Sequence, residues 1–276
     1  MVVYSWNPRR RPWKIPFGPH IGPRRPVNNF GDLLGPLIVD HLLTSNGLPS
    51  SAALIDPGLT IFTVGSVLSF ASDGDVIWGS GLNGKIPSSD HKFSTLDVRA
   101  VRGPRTQEFL RRRGIDCPDV FGDPALLLPL AMPDLVARSQ HKTFKIALVP
   151  NLNDWRTLRR HPNAVRPTAD LASTAQRIAA SELVVASSLH AIVVAEALGI
   201  PARWLRSPHE PPLKYLDYFE GTGRTGAACF ESVADAMRGN VTQAPLDWDP
   251  EPLIAAFPKD LWCGAADRAP APDQTG

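Results

Sequence analysis

Long apolar runs are absent from this 276-residue chain. Its most hydrophobic windows, such as Leu189–Ile200, are short and interrupted by Glu196, whereas a bilayer-spanning helix needs about 20 consecutive apolar residues. The opening residues lack the apolar centre of a secretory signal, so any membrane contact is expected to be peripheral. Cysteine is scarce: Cys117, Cys229 and Cys263 stand far apart, with no C-x-x-C pair and no histidine at zinc-ligand spacing. That pattern fits a reducing cytosol and provides no metal site. Charge of one sign is lacking too. A formal net charge of +2 argues against a nucleic-acid partner, although Arg9, Arg10, Arg11, Lys14, Arg24 and Arg25 concentrate positive charge near the start. That arm is either a solvated face or a contact for phosphates or an anionic membrane surface. Gly79-Ser-Gly81 lacks the further glycine of a dinucleotide turn and the lysine of a P-loop, and neither Ser66 nor Ser80 sits in a nucleophile elbow.

What is present is an ordinary globular composition, 43% hydrophobic and 20% charged, at a length that suggests two modest domains. After a first strand near Met1–Tyr4 and an irregular arm, Asp32 precedes an apolar-periodic run, Leu33–Leu43. Strands are expected at Thr60–Val64, Asp75–Trp78, Asp97–Val101 and Pro118–Phe121, each followed by glycine or a turn. A helix over Arg105–Arg113 has Pro104 before it and Gly114 after it. A second series follows: strand Lys145–Val149, helix Asp170–Ala180, strand Leu183–Ala186, helix Leu189–Leu198, strand Arg203–Leu205, and short helices at Lys214–Phe219 and Ser232–Met237. This alternation is the grammar of parallel α/β sheets. Polar, proline-bearing Met132–Lys142 marks the boundary, giving domains at 1–135 and 136–264 and a disordered Ala/Pro/Asp tail at 265–276.

The densest chemical signal lies in Leu183–Pro201. A β-branched strand runs into Ser187-Ser188, and a helix begins beside His190 and is stopped by Gly199 and Pro201. The unpaired backbone N–H groups of that helix start attract anions. One serine can cap them, leaving the other to bond a ligand oxygen, and His190 can hand a proton to a group bound above the turn. The alternative is a capped helix whose histidine satisfies a neighbouring loop.

In open α/β sheets ligands gather at the carboxyl ends of strands, which singles out Asn29, Asp32, Ser66, Ser80, Arg102, Arg105 and Asp123. Arg102 and Arg105 bracket a helix start, where a guanidinium fork suits carboxylate or phosphate; each can instead pair with Asp97, Asp119 or Asp123. Asp32 and Asp123 are equally good helix caps or turn formers. Lys214 is either a ligand or an exposed lysine.

Taken together, Asn29-Phe-Gly-Asp32, Asp75-Val-Ile-Trp-Gly-Ser-Gly81, Val98-Arg-Ala-Val-Arg-Gly-Pro104, Gly122-Asp-Pro-Ala-Leu-Leu127, Ser187-Ser-Leu-His190 and Lys214-Tyr-Leu-Asp-Tyr-Phe219 resemble the polysaccharide pyruvyl transferase family, closest to its exopolysaccharide members. The resemblance implies two Rossmann-like, doubly wound domains in a GT-B-like arrangement with a central cleft. It also implies transfer of pyruvyl from phosphoenolpyruvate, a co-substrate, to a saccharide, which forms a ketal without metal or cofactor. The acceptor is expected to be lipid-linked, on the inner face of a membrane. Some family members use an Arg-Leu-His segment, its arginine gripping the donor and its histidine acting as acid, where this chain has Ser188, Leu189 and His190. The resemblance makes His190 the acid; our own reading of the residues assigns Arg102 and Arg105 to the missing arginine's anion grip, with Ser187, Ser188 and Lys214 beside them toward the donor, Asn29, Ser66 and Ser80 toward the acceptor, and Asp32, if free of capping, as the base. A nucleotide-sugar glycosyltransferase and a non-catalytic sugar- or phosphate-binding module are the competing readings.

Overall fold

The computed structural model describes residues 2–11, 13–14, 20–50, 58–239 and 244–262; Cys263 and the expected disordered tail at 265–276 lie outside these. Two four-stranded, wholly parallel sheets organise them. In the first, β1 (Val2–Val3), β2 (Thr60–Phe62), β3 (Val76–Trp78) and β4 (Asp97–Ala100) are neighbours in chain order. In the second, β5 (Phe144–Val149), β6 (Ser181–Ala186), β7 (Ala202–Leu205) and β8 (Cys229–Phe230) are likewise consecutive. The expected strand at Pro118–Phe121 shrinks to one parallel bridge, Val101 to Phe121.

The helices fall where apolar spacing and stop signals put them: α1 (Leu34–Ser45), α2 (Pro104–Arg112), α3 (Leu171–Ala179), α4 (Leu189–Ala197) and α5 (Leu213–Gly221). Asp170 caps α3 by accepting from the Ser173 N–H, and Pro104 occupies the first turn of α2, where a missing N–H costs nothing. The arm is less irregular than composition suggests. It folds back as two short antiparallel ribbons, Arg9–Arg10 with Arg25–Pro26 and Trp13–Lys14 with His20–Ile21. Proline-bearing Met132–Lys142 contains a helical turn, Asp134–Ser139, whose Leu135 is buried.

Strand alternation explains the layering. Ile61, Val76, Trp78, Val184 and Ala186 face one large core, whereas Phe62 and Ile77 feed a second apolar cluster and Leu148, Val185 and Leu205 a third. Each sheet is therefore covered on both faces, as parallel sheets require. The large core runs continuously from α1 and β2 to β6 and α4, so both sheets share it. The closing segment returns to the first sheet: the Trp78 indole donates to the Leu253 carbonyl at 2.9 Å, and Trp248 donates to the Phe121 carbonyl at 3.1 Å. No helix of the described residues is long and apolar enough to cross a membrane.

Candidate functional site

A cavity of about 500 Å³ opens where loops leave the carboxyl ends of strands in both sheets. Ser66 follows β2, Asn83 and Lys85 follow β3, Asn151 to Asn153 follow β5, Ser188 to His190 follow β6, and Glu210 and Lys214 follow β7. Asn29 and Asp32 enter from the 3-10 turn Phe30–Leu33 that leads into α1.

His190 stands in the first turn of α4, a helix buried along Leu189, Ile192 and Val193. Those side chains contribute about 1.5–3 kcal/mol each by leaving water, which holds the helix start rigid. Neither serine caps it: Ser188 is the cap residue by backbone shape but makes no side-chain cap. Ser187, expected at the donor, is instead fully buried beneath the cavity. Its Oγ accepts from the Asn151 N–H at 3.2 Å, and its carbonyl accepts from the Tyr215 hydroxyl at 2.6 Å. Tyr215 stacks on Trp204 with centroids 4.6 Å apart, so α5 braces the bend that carries His190. Burial pulls the imidazole down to about 3, with Lys214 and Arg102 adding to the effect, and the ring is neutral. Its Nε2 is buried without a partner.

The ring lies against Gly31, where an added Cβ would sit 2.0 Å from His190 Nδ1. The glycine of Asn29-Phe-Gly-Asp32 is thus fixed by close approach. Gly31→Ala is expected to cost about 1–3 kcal/mol through overpacking, and part of that cost should vanish in a His190→Ala background, where the Cβ of residue 190, 2.8 Å away, is the contact that remains. Equal destabilisation in both backgrounds, measured by denaturant midpoint, would show that the ring is not the obstacle.

Asp32 does not cap α1, whose start has no side-chain cap. Its carboxylate accepts from Asn29 Nδ2 at 2.5 Å. Burial pushes it up to about 6, against the lowering influence of Asn29 and Lys214. A carboxyl poised near neutrality in a cavity is suited to proton transfer.

The cations differ from the sequence expectation. Arg102 is fully buried and does not line the cavity. It forms an ion pair with buried Asp217 at 3.0 Å and donates to Ser66 Oγ at 2.6 Å and to the Leu82 carbonyl at 2.7 Å. Arg105 binds Glu220 through two bonds of 2.8 and 2.7 Å and lies away from the cavity. What separates both guanidiniums from the donor is their place: neither lines the cavity, and Asp217 and Glu220 hold them elsewhere. Lys214 does enter the cavity, joined by Lys85, which sequence reasoning missed: Glu210 accepts from Lys214 Nζ at 2.7 Å and from Lys85 Nζ at 2.5 Å. Burial alone pushes the Glu210 carboxyl up, but the two lysines outweigh it and hold it below its ordinary value. Burial, together with Lys85 and Arg102, pulls the Lys214 ammonium down, although Glu210 opposes this.

Of the other expected residues, Asn29, Ser66 and Ser188 line the cavity. Ser80 is buried, and its Oγ donates to the Gly65 carbonyl at 3.1 Å, so it does not reach an acceptor. Asp123 is a cap, accepting from the Ala125 N–H at 3.0 Å. Cys117 and Cys229 are not nucleophiles in waiting, since burial pushes their thiols up to about 12 and about 11.

The ends of parallel strands thus deliver a histidine, a carboxyl raised toward neutrality and two lysines to one cavity. Residues 55–209, more than half of the chain, match the polysaccharide pyruvyl transferase family, and the chain belongs to it. It is 25% identical over 211 residues to the uncharacterised protein L143 of Acanthamoeba polyphaga mimivirus, covering 71% of each chain. An uncharacterised Klebsiella pneumoniae protein of known crystal structure is 11% identical, with a TM-score of 0.45 over 74% of this chain and 89% of that one.

Proposed function

We propose that the protein transfers the pyruvyl group of phosphoenolpyruvate to two hydroxyls of a saccharide, forming a pyruvate ketal and releasing phosphate. The observation that carries this reading is the meeting of His190, Asp32, Lys214 and Lys85 in one cavity within the family match. Protonation of the donor's methylene carbon makes a methyl group and an oxocarbenium-like centre; one sugar hydroxyl adds there and loses its proton, and a second hydroxyl then displaces phosphate, which leaves with that hydroxyl's proton. His190 supplies the first proton. Burial and the neighbouring Lys214 and Arg102 keep its ring neutral, and the charge of a bound trianionic donor raises its proton affinity, so the acid is loaded as the donor arrives. Lys214 and Lys85, with the start of α4, take over the anion grip of the arginine that Ser188 replaces. Asp32 receives the proton of the attacking hydroxyl.

In this reading the two sheets belong to halves arranged as in GT-B enzymes, acceptor on the 1–135 side and donor on the 136–264 side. The acceptor is a lipid-linked saccharide of exopolysaccharide assembly, met at the inner face of a membrane with Arg9, Arg24 and Arg25 of the arm toward its anionic headgroups. Incubation with phosphoenolpyruvate and candidate lipid-linked oligosaccharides should give a ketal mass gain and equimolar phosphate. Release of nucleoside diphosphate from a sugar nucleotide would instead establish a glycosyltransferase, and binding without turnover a non-catalytic module.

A base with its carboxyl near 6 sets a pH limb. kcat/KM is expected to rise with pH through about 6 as Asp32 ionises, and Asp32→Asn should abolish that limb along with most turnover. The same shift has the opposite sign for stability: folded Asp32 holds its proton more tightly than the unfolded chain does. Its contribution to stability is therefore present at acid pH and is lost as pH rises from about 4 to about 6. A pH–rate profile without an inflection in that region would remove Asp32 from the proton path.

A further inference from the structure

One wall of the cavity is aromatic, and nothing in the proton chemistry uses it. Phe70 closes the 3-10 turn Leu68–Phe70 that follows Ser66; Leu68 points into the core, while Phe70 is 51% exposed and lines the cavity. A single exposed phenylalanine needs no explanation. Here, however, the ring is held. Tyr4 stacks between core Phe62 and Phe70 with centroids 4.7 and 5.4 Å apart and planes 22° apart in both pairs. Trp6, two residues along the same segment, lines the cavity as well, with the Arg10 guanidinium over its ring at 5.5 Å. Two aromatic rings thus stand at the cavity, one held in a stack anchored in the core and one under the Arg10 guanidinium.

We propose that Phe70 and Trp6 form a stacking platform for a pyranose ring of the acceptor saccharide, holding its hydroxyls toward Asp32. A pyranose is apolar on its C–H faces and polar along its edge. Fixed aromatic rings cover the former without ordering cost, and short polar side chains bind the latter. Asn29 and Asp32, which line the same cavity, provide that edge: the Asn29 amide donates to the Asp32 carboxylate and leaves its own carbonyl oxygen for a hydroxyl. Lys85 stands on the loop after β3 and Lys214 at the start of α5, whereas Phe70 follows β2 and Trp6 follows β1, so the aromatic wall comes from other segments than the anion grip.

The identity of this ligand as the acceptor rests on the transferase reading, whereas its chemistry as a sugar rests on the wall itself, so the test reads binding without turnover. Saturation-transfer NMR on the full chain, with methyl glucoside, methyl galactoside and methyl mannoside and no phosphoenolpyruvate, should give signals on the ring C–H protons of at least one of them. Phe70→Ala and Trp6→Ala should each weaken that binding about tenfold, the loss of roughly one aromatic contact, while Phe70→Tyr retains it. Phosphoenolpyruvate affinity, followed by calorimetry, should stay unchanged in all three variants and so confirm that they are folded. Absence of signal from all three glycosides, full retention in both alanine variants, or displacement of the glycoside by uridine would each overturn the platform. Saccharide binding that survives while no ketal is ever formed would defeat the transferase reading and leave the platform standing.

Discussion

Arg102→Ala is expected to cost the fold about 3–5 kcal/mol, the range for breaking a buried ion pair from one side. Arg102 and Asp217 are both fully buried at 3.0 Å, and the guanidinium also satisfies Ser66 Oγ and the Leu82 carbonyl. Asp217 itself accepts from the Thr106 backbone at 3.0 Å and from the Thr106 hydroxyl at 2.7 Å, which ties α5 to the first turn of α2. Removing the arginine leaves a carboxylate in the core with only neutral donors. The loss should therefore be much smaller when Asp217 is changed to Asn in the same chain, giving a non-additive double-mutant cycle. Arg105→Ala, which breaks a partly exposed pair with Glu220, should cost no more than about 1 kcal/mol. Urea midpoints decide the matter. If Arg102→Ala keeps wild-type stability and changes only donor saturation, the arginine belongs to the donor site after all.

The second large effect concerns His190. His190→Ala is expected to lower the rate of pyruvyl transfer by about 10²–10⁴-fold, the usual share of a positioned general acid, with little change in stability. Its Nε2 has no partner to lose, and the helix it starts is held by Leu189, Ile192 and Val193 rather than by the ring. Donor affinity, measured by calorimetry, should fall far less than turnover. A variant that transfers at the wild-type rate would show that the donor carbon is protonated by another group. Asp32 would then be the first candidate, since it shares the cavity and its carboxyl lies near 6.

Much of this molecule was legible along the chain, and the reason is local. The strand at β6 and the helix at α4 announce themselves through a β-branched run, helical apolar spacing and the stop at Gly199 and Pro201, all of which act within a few residues. That His190, Asp32, Asn29, Ser66 and Ser188 line one cavity was reachable because loops after parallel strands gather there, a rule that needs only the strands. The errors share one cause. Arg102 and Arg105 look like anion binders until Asp217 and Glu220 arrive from 115 residues further on, and Ser187 looks like a ligand until Asn151 and Tyr215 close over it. Lys85 and Glu210 carry no local signal at all; they matter because they meet across 125 residues. The aromatic wall escaped for the same reason, since Trp6 and Phe70 are unremarkable apart.

The amino-acid sequence by itself determined the class of fold, the order of strands and helices, the turn that starts α4 beside His190 and membership of a transferase family, because propensity, periodicity and ordered motifs are properties of neighbouring residues. Tertiary structure alone decided which charges are free. Ion pairs and desolvation depend on distance in space, so folding buried two arginines against carboxylates, set two lysines on Glu210, left the imidazole neutral and brought the Asp32 carboxyl to the edge of neutrality.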